Sequence, residues 1–188
     1  MAAVRRRREA LLLASGQAAS FEVAHVFSSS EPKAERTAAL LSQQLGVAYT
    51  AYPELGENDR GGLPFLPQDQ FGAKVKAFFN SLDALIIGQE TARQAEERFA
   101  DKLESLLANV EGNVVVAAHG TVNTLFTARY NELELFSLWR SLQLPSYLVL
   151  GRPTLPGTGR YTIFQAKNHR RPGEVRPAFF SCETSALV

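Results

Sequence analysis

Cysteine is nearly absent from this sequence, in which Cys182 stands alone among 188 residues. One cysteine cannot close an internal disulfide, so a disulfide-stapled secreted scaffold is excluded and a reducing compartment fits. No apolar run approaches the roughly 20 residues that span a bilayer, and no Cys/His spacing indicates a metal site. The sequence also has no excess of charge of one sign, because it contains 20 basic and 19 acidic residues. We therefore expect a soluble cytoplasmic protein that has neither nucleic acid nor a membrane as its partner.

The length and a hydrophobic share of 45% fit one domain with a sizeable core. We divide the chain into an atypical Arg/Ala/Leu-rich segment at 1–20, a folded domain at 21–166 and a polar C-terminal extension at 167–188. The first segment contains an unbroken basic run from Arg5 to Arg8. It can be a targeting segment, a solvated basic arm, or a stretch outside the fold that follows from a wrongly placed start.

Strand and helix patterns alternate through the folded domain. The run VVVAA at 114–118 is apolar throughout, as in a strand covered on both faces, and the Pro/Gly-rich stretch 51–67 predicts a long functional loop. This alternation favours a three-layer α/β domain. The predicted strands are 21–27, 47–50, 114–118, 146–150 and 160–165, and the predicted helices are 30–46 (capped by Ser30), 71–82, 91–110 and 120–130.

His119 is the most informative polar residue, because it ends the VVVAA strand just before a helix begins at Gly120. Ligands of open α/β sheets bind outside the carboxyl ends of the strands, and a helix N-terminus there suits an anion. An imidazole at this position can contact a phosphoryl group. It can equally complete the strand end by hydrogen bonding alone.

Two further polar stretches follow the predicted strands. Lys33 lies in the first turn of a helix, where a cation opposes the helix dipole unless an anion binds between them. Glu31 and Glu35 can instead neutralise it as surface partners. In the long loop, Glu57 lies in an acidic turn near glycines and can act as a general acid if the fold brings it to a phosphate. Glu90 lies at the start of a helix, which explains it without a catalytic role.

The order of these stretches is more specific than any one of them. The chain contains, in sequence, SSSEPKAERTA, LGENDRG, GQET and VVVAAHGT. This order resembles the histidine phosphatase superfamily, with its motifs S-S-P-L-x-R-A-x-x-T-A, L-x-E-x-x-x-G, G-E-S/T and V-x-H-G. The resemblance covers about residues 22–166 and is closest to a divergent branch with S-S-x-E-x-K-A. It implies the phosphoglycerate mutase-like fold, a three-layer α/β/α sandwich.

The resemblance also implies roles for individual residues. His119 matches the histidine that contacts the transferring phosphoryl group, and Glu57 matches the proton donor to the leaving oxygen. Lys33 falls where the family has a phosphate-binding arginine, and a lysine there keeps the charge but loses the bidentate fork. Ser29 lies at the mouth of the same site, and Glu90 is structural or peripheral. The implied partner is a small phosphorylated substrate, and no cofactor or metal is implied.

The family's nucleophile is missing from this sequence. In the family it is the histidine of an R-H-G triplet that ends the first strand, and this chain has no such triplet. His25 falls inside the predicted strand, His169 lies in the polar extension, and Arg6 in the faintly similar run at 4–7 cannot replace a histidine nucleophile. We therefore expect the family's first strand to be missing or replaced, with an interior member of the sheet lost and unpaired edges exposed.

Three hypotheses about function remain open at this point. The first is a truncated or mis-spliced form of a phosphatase that acts on a phosphomonoester through phosphohistidine, with hydrolysis favoured over mutase transfer. The second is a catalytically inactive module of the same fold that binds a phosphate ligand or a protein. The third, which rests on the basic run, is an organelle-targeted or nucleic-acid-associated factor.

Overall fold

The computed structural model describes residues 21–142, 146–151, 162–168 and 185–187. In this part of the chain no helix is long and apolar enough to cross a membrane. The strands are β1 (Val23–Ser29), β2 (Tyr49–Tyr52), β3 (Asn113–Ala117), β4 (Ser146–Gly151), β5 (Thr162–Asn168) and β6 (Ser185–Leu187). The helices are α1 (Pro32–Leu45), α2 (Gln68–Asn80), α3 (Ala92–Ala108), α4 (Gly120–Tyr130) and α5 (Leu135–Ser141), and a short 3-10 turn covers Pro53–Leu55.

Local sequence signals explain where several helices begin and end. Helix α1 ends at Gly46, whose φ of 69° is in the left-handed region that glycine adopts without strain. Helix α3 begins with a capping box, in which the Thr91 side chain accepts from the Gln94 N–H and the Gln94 side chain accepts from the Thr91 N–H. The N-cap of α1 is Glu31 rather than the predicted Ser30, and its side chain makes no capping hydrogen bond.

The six strands form one sheet in the order β2-β1-β3-β6-β4-β5. The pairs β1–β2, β1–β3 and β3–β6 are parallel, whereas β6–β4 and β4–β5 are antiparallel. Helices pack on both faces of this sheet, as the α/β fold class predicts. The buried side chains of one face pack with α1 and include Val26, Ala38, Leu41, Val115 and Val149. The larger cluster on the other face packs with α2, α3 and α4 and includes Phe27, Phe78, Phe99, Val116 and Leu125.

The structure differs from the sequence-based expectations at the C-terminal end of the chain. We expected the domain to end at residue 166 and a polar extension to follow, but β5 continues to Asn168 and β6 lies inside the sheet. Strand β6 also pairs with β3 on one side and β4 on the other, where we expected an unpaired edge after the loss of a strand. Three residues in a polar, Pro-containing stretch are too short to show a strand period, so the pattern did not reveal β6.

Candidate functional site

Three parallel strands deliver polar residues to one edge of the sheet. Strands β1, β2 and β3 run side by side in the same direction, so their carboxyl ends meet. Ser29 ends β1, Glu57 comes shortly after β2, and His119 comes just after β3. This edge is where open α/β sheets bind their ligands, and the sequence-predicted site residues Ser29, Glu57 and His119 lie along it.

His119 precedes the first turn of α4 as its N-cap residue. Its side chain is 13% exposed, and its Nε2 lies 3.3 Å from Oε1 of Glu31. The two atoms are close enough for an ion pair but are not aligned as a hydrogen bond, because Nε2 is buried and has no hydrogen-bond partner in the described structure. Buried polar atoms are normally paired, so this nitrogen lacks a hydrogen bond that a ligand can supply.

The carboxylate of Glu57 lies at the N-terminus of α4. Its Oε2 accepts from the Thr121 N–H at 3.3 Å and from the Arg60 guanidinium at 3.0 Å, and its Oε1 accepts from the Asn58 N–H at 3.1 Å. The side chain is only 16% exposed. The first N–H groups of a helix and its dipole favour negative charge, and here they already hold a carboxylate.

Glu31 connects the two predicted catalytic residues. The same Oε1 that lies near His119 accepts the backbone N–H of Glu57 at 2.7 Å, and the Glu31 N–H donates to Oγ of Ser29 at 3.0 Å. Its side chain is 46% exposed, so moving the carboxylate away from His119 would break its hydrogen bond to the Glu57 N–H without disturbing the core. The expectation that Glu31 is a surface partner of Lys33 is not met, because no ion pair joins them among the described residues.

Arg60 belongs to this site although the sequence analysis did not select it. Its Nη2 donates to Oε2 of Glu57 and, at 3.2 Å, to Oγ1 of Thr121, and its Nε donates to Oδ1 of Asn58 at 3.2 Å. The guanidinium carbon also lies 5.1 Å from the centre of the Phe71 ring, within cation–π range. The spacing E-x-x-R, with both residues on a loop that returns to the same helix terminus, was the signal that could have identified it.

Lys33 is the second residue of α1 and is exposed. Its ammonium group forms no ion pair with any described residue, so the structure does not bring it into the hydrogen-bonded cluster, and its phosphate-binding role stays a prediction. Ser29 is fully buried, and its Oγ already accepts the N–H of Glu31. Its hydroxyl therefore holds the backbone of Glu31 in place and is not exposed at the mouth of the site, where the sequence led us to expect it.

A second layer of contacts holds the Glu57 loop against α3. Arg98 donates to the backbone carbonyls of Glu54 at 2.7 Å, Gly56 at 3.2 Å and Glu57 at 3.2 Å. Glu90 pairs with Arg98 at 2.6 Å and accepts the Asp59 N–H at 2.8 Å. These contacts agree with the structural role expected for Glu90, because they fix the loop and do not reach His119.

The other histidines lie apart from this cluster. His25 on β1 is half-buried and lies with Nε2 3.0 Å from Oγ1 of Thr50 on β2, as a packed strand histidine would. His169 falls outside the described residues. Within the described ranges, no group of three or more His, Cys, Asp or Glu side chains could hold a metal ion.

Aromatic residues form a wall beside the N-terminus of α4. The rings of Phe71 and Trp139 lie 6.2 Å apart, and Trp139 stacks with Phe136 at 5.9 Å. A Cβ placed on Gly120 would lie 3.6 Å from Nε1 of Trp139, so the indole lies close to the residue after His119. Helix α5, which carries Trp139, was not predicted from the sequence.

Comparisons with known proteins agree with this architecture. The family model of the histidine phosphatase superfamily (branch 1) matches residues 5–150. A search of the curated proteins finds no match. Among solved structures, a mycobacterial glucosyl-3-phosphoglycerate phosphatase is 18% identical with a TM-score of 0.65, and covers 84% of this chain and 83% of its own. YhfR of Bacillus stearothermophilus is 19% identical with a TM-score of 0.62, and covers 84% of this chain and 80% of its own. A mycobacterial hydrolase is 19% identical with a TM-score of 0.66 over 84% and 82% of the two chains.

Proposed function

This chain belongs to the histidine phosphatase superfamily, and we propose that the cluster around His119 and Glu57 binds the phosphoryl group of a small phosphomonoester. The observation that carries the proposal is the buried Nε2 of His119, which has no hydrogen-bond partner among the described residues and lies at the N-terminus of α4. An imidazole beside a helix N-terminus supplies donors of the kind that bind phosphoryl oxygens.

The residues fit the steps of phosphomonoester hydrolysis except for the first. Glu57, when protonated, would give its proton to the leaving oxygen, and His119 would stabilise the charge on the equatorial oxygens together with a cation, for which the sequence resemblance indicates Lys33. A histidine nucleophile would attack phosphorus in line and form phosphohistidine, which water then hydrolyses. We propose that no histidine among the described residues fills that role, because the sequence has no R-H-G triplet. We therefore propose that the chain binds phosphomonoesters and does not turn them over unaided.

The phosphatases among the structural neighbours support a phosphatase origin for this site. One neighbour is named for a phosphorylated glucosyl-glycerate, but the low identity limits the proposal for this chain to the phosphomonoester class. We propose that an active form of this protein carries a strand ending in R-H-G, and that this form is a cytoplasmic phosphatase.

The test compares this chain with a form extended by the upstream reading frame. Hydrolysis of p-nitrophenyl phosphate is measured for both, and binding of inorganic phosphate is measured by calorimetry. We expect phosphate binding in both forms and hydrolysis only in the extended one. In the extended form, Glu57→Gln should abolish hydrolysis of phenyl phosphate, whose leaving group needs a proton more than p-nitrophenol does. Absence of phosphate binding in both forms would overturn the proposal.

A non-enzymatic phosphate-binding or protein-binding module is the second candidate. The absence of R-H-G beside intact later motifs favours it. Phosphate binding without hydrolysis in the extended form supports this module over the enzyme. Unchanged phosphate affinity in His119→Ala contradicts both the enzyme and the phosphate-binding module, because each places the phosphate at this histidine.

A further inference from the structure

Arg60 has donors that its contacts within the described structure do not use. A guanidinium carries five N–H groups, and Nε and Nη2 donate to Asn58, Glu57 and Thr121. Nη1 donates to no described residue. The guanidinium is therefore fixed on one side and has a remaining edge for a ligand.

Hydrogen bonds and an aromatic contact fix the position of the Arg60 side chain. Asn58, which accepts from Nε, is 3% exposed, and the Phe71 ring lies against the guanidinium at 5.1 Å. The side chain of Arg60 itself is 36% exposed, so one part of it faces solvent. A guanidinium held in this way loses little conformational entropy when it binds an anion.

Lys33 offers a weaker alternative. It is exposed, forms no ion pair among the described residues, and carries an ammonium that cannot bind two oxygens in a plane. Arg60, in contrast, contacts Thr121 in the first turn of α4, two residues after His119. Of these two cations, only Arg60 is hydrogen-bonded at the terminus where Nε2 of His119 has no hydrogen-bond partner among the described residues.

We propose that Arg60 binds the phosphoryl group of the ligand in this site, in the role that the sequence resemblance assigns to Lys33. This inference rests on the proposed function. The guanidinium would bind the phosphoryl group through the two N–H groups of Nη1, because those of Nη2 already donate to Glu57 and Thr121. His119 would bind another phosphoryl oxygen, and the Glu57 carboxyl would stay beside the leaving oxygen. The ligand class is a tetrahedral dianion with an unsubstituted phosphoryl face, and a phosphodiester fits less well because it lacks a second charge and a third terminal oxygen.

The test measures binding of inorganic phosphate by calorimetry to the full chain and to the variants Arg60→Lys and Arg60→Ala. Hydrogen bonds to charged groups are each worth about a tenfold change in affinity. We therefore expect about tenfold weaker binding for R60K, which keeps the charge and loses the planar fork, and about 30-fold or more for R60A. Millimolar guanidinium should restore part of the affinity of R60A. Arg93→Lys is the matched control, because Arg93 pairs with Asp83 and Glu96 away from the site, and its affinity should not change.

A purely structural role for Arg60 gives a different result. Urea unfolding of each variant without phosphate shows whether the fold is kept. If R60A does not fold, the phosphate affinity of R60K alone decides between the two roles. Unchanged phosphate affinity in R60K, together with loss of binding in His119→Ala, overturns this inference and leaves the proposed function standing. If the unaltered chain binds no phosphate, the proposed function itself is wrong.

Discussion

Helices α1 and α4 both begin at the carboxyl end of the sheet, but their first turns differ in burial and in polar contacts. The start of α1 has no side-chain cap at Glu31 and places Lys33 in solvent. The start of α4 places His119 and Thr121 in the interior, the latter 2% exposed, and surrounds them with Glu57 and Arg60. Electrostatic and hydrogen-bonding interactions strengthen as water is excluded. We therefore expect the buried N-terminus of α4 to bind an anion more strongly than the exposed N-terminus of α1, although α1 carries Lys33.

The largest expected effect comes from a glycine that supports the α4 side of the site. Gly88 has a φ of 70°, and a Cβ there would lie 1.7 Å from the carbonyl oxygen of Asp59. Gly88→Ala should lower the free energy of unfolding by about 3 kcal/mol, because either Gly88 or the Glu57 loop must shift. Urea denaturation measures the change. Gly72→Ala is the control: its Cβ meets nothing within 4 Å on α2, and we expect about 0.5–1 kcal/mol of added stability.

His119 tests the buried terminus directly. His119→Ala should weaken the binding of inorganic phosphate by about 30-fold, because a buried donor next to a helix N-terminus is lost. Calorimetric titration provides the measurement. His25→Ala, which removes a histidine that contacts Thr50 on the same sheet, should leave the affinity unchanged. Equal losses in the two variants would mean that the phosphate does not bind at α4.

Glu31 should have the opposite effect, because its carboxylate occupies the neighbourhood of His119. Glu31→Gln keeps an oxygen that can accept the Glu57 N–H and removes the negative charge 3.3 Å from Nε2. We expect phosphate to bind about fivefold more tightly, as measured by the phosphate-dependent rise in Tm and by calorimetry. Glu35→Gln, one turn further along α1, is the control. Weaker binding in Glu31→Gln would show that this carboxylate supports the ligand instead of competing with it.

Lys33 tests the exposed terminus. Lys33→Ala should weaken phosphate binding by less than about threefold, because a solvated ammonium contributes little. Raising the salt concentration should remove this difference, since exposed charges are screened. A loss larger than that of His119→Ala would reverse the comparison between the two helices and return the main phosphate contact to α1.

The smallest effect concerns the other end of α4, where Arg129 lies 3.6 Å from Glu96 of α3. Burial raises the pKa of the Glu96 carboxyl above its ordinary value of 4.5, although Arg129 and Arg93 act against it. The folded state thus holds this proton more tightly, so the contribution of Glu96 to stability is greatest below pH 4.5 and falls as the pH rises through the folded-state pKa. Glu96→Gln should remove this fall, as urea denaturation across that pH range can measure. Exposed Glu97→Gln should retain it.

Much of the fold was accessible from local signals. Helix α4 follows the prediction at both ends, and α3 begins at the predicted cap Thr91, because apolar spacing and capping are properties of adjacent residues. Helix α5 has only seven residues, which gives too few turns for a period. The short strand β6 was missed for the same reason, since its pairing depends on residues far away in the chain.

The sequence predicted which residues lie at the site better than it predicted the contacts between them. The strand ends placed Ser29, Glu57 and His119 at one edge, as topology requires. Arg60 was missed although the E-x-x-R spacing links it to Glu57, because its contact with Thr121 depends on how the loop folds. Lys33 was selected for its charge. Its exposure to solvent depends on how the fold packs, which the sequence pattern does not show.

The position of β6 has a consequence for how this protein is made. In the described sheet, β6 is the strand that joins the parallel group β2-β1-β3 to the hairpin β4–β5. Its partner positions on β3 are Val114 and Val115, far earlier in the chain, so this pairing has a high contact order and forms slowly. During translation the edges of β3 and β4 that pair with β6 stay unpaired until Leu187 has left the ribosome. Until then the unpaired edges of β3 and β4 favour edge-to-edge association with other chains.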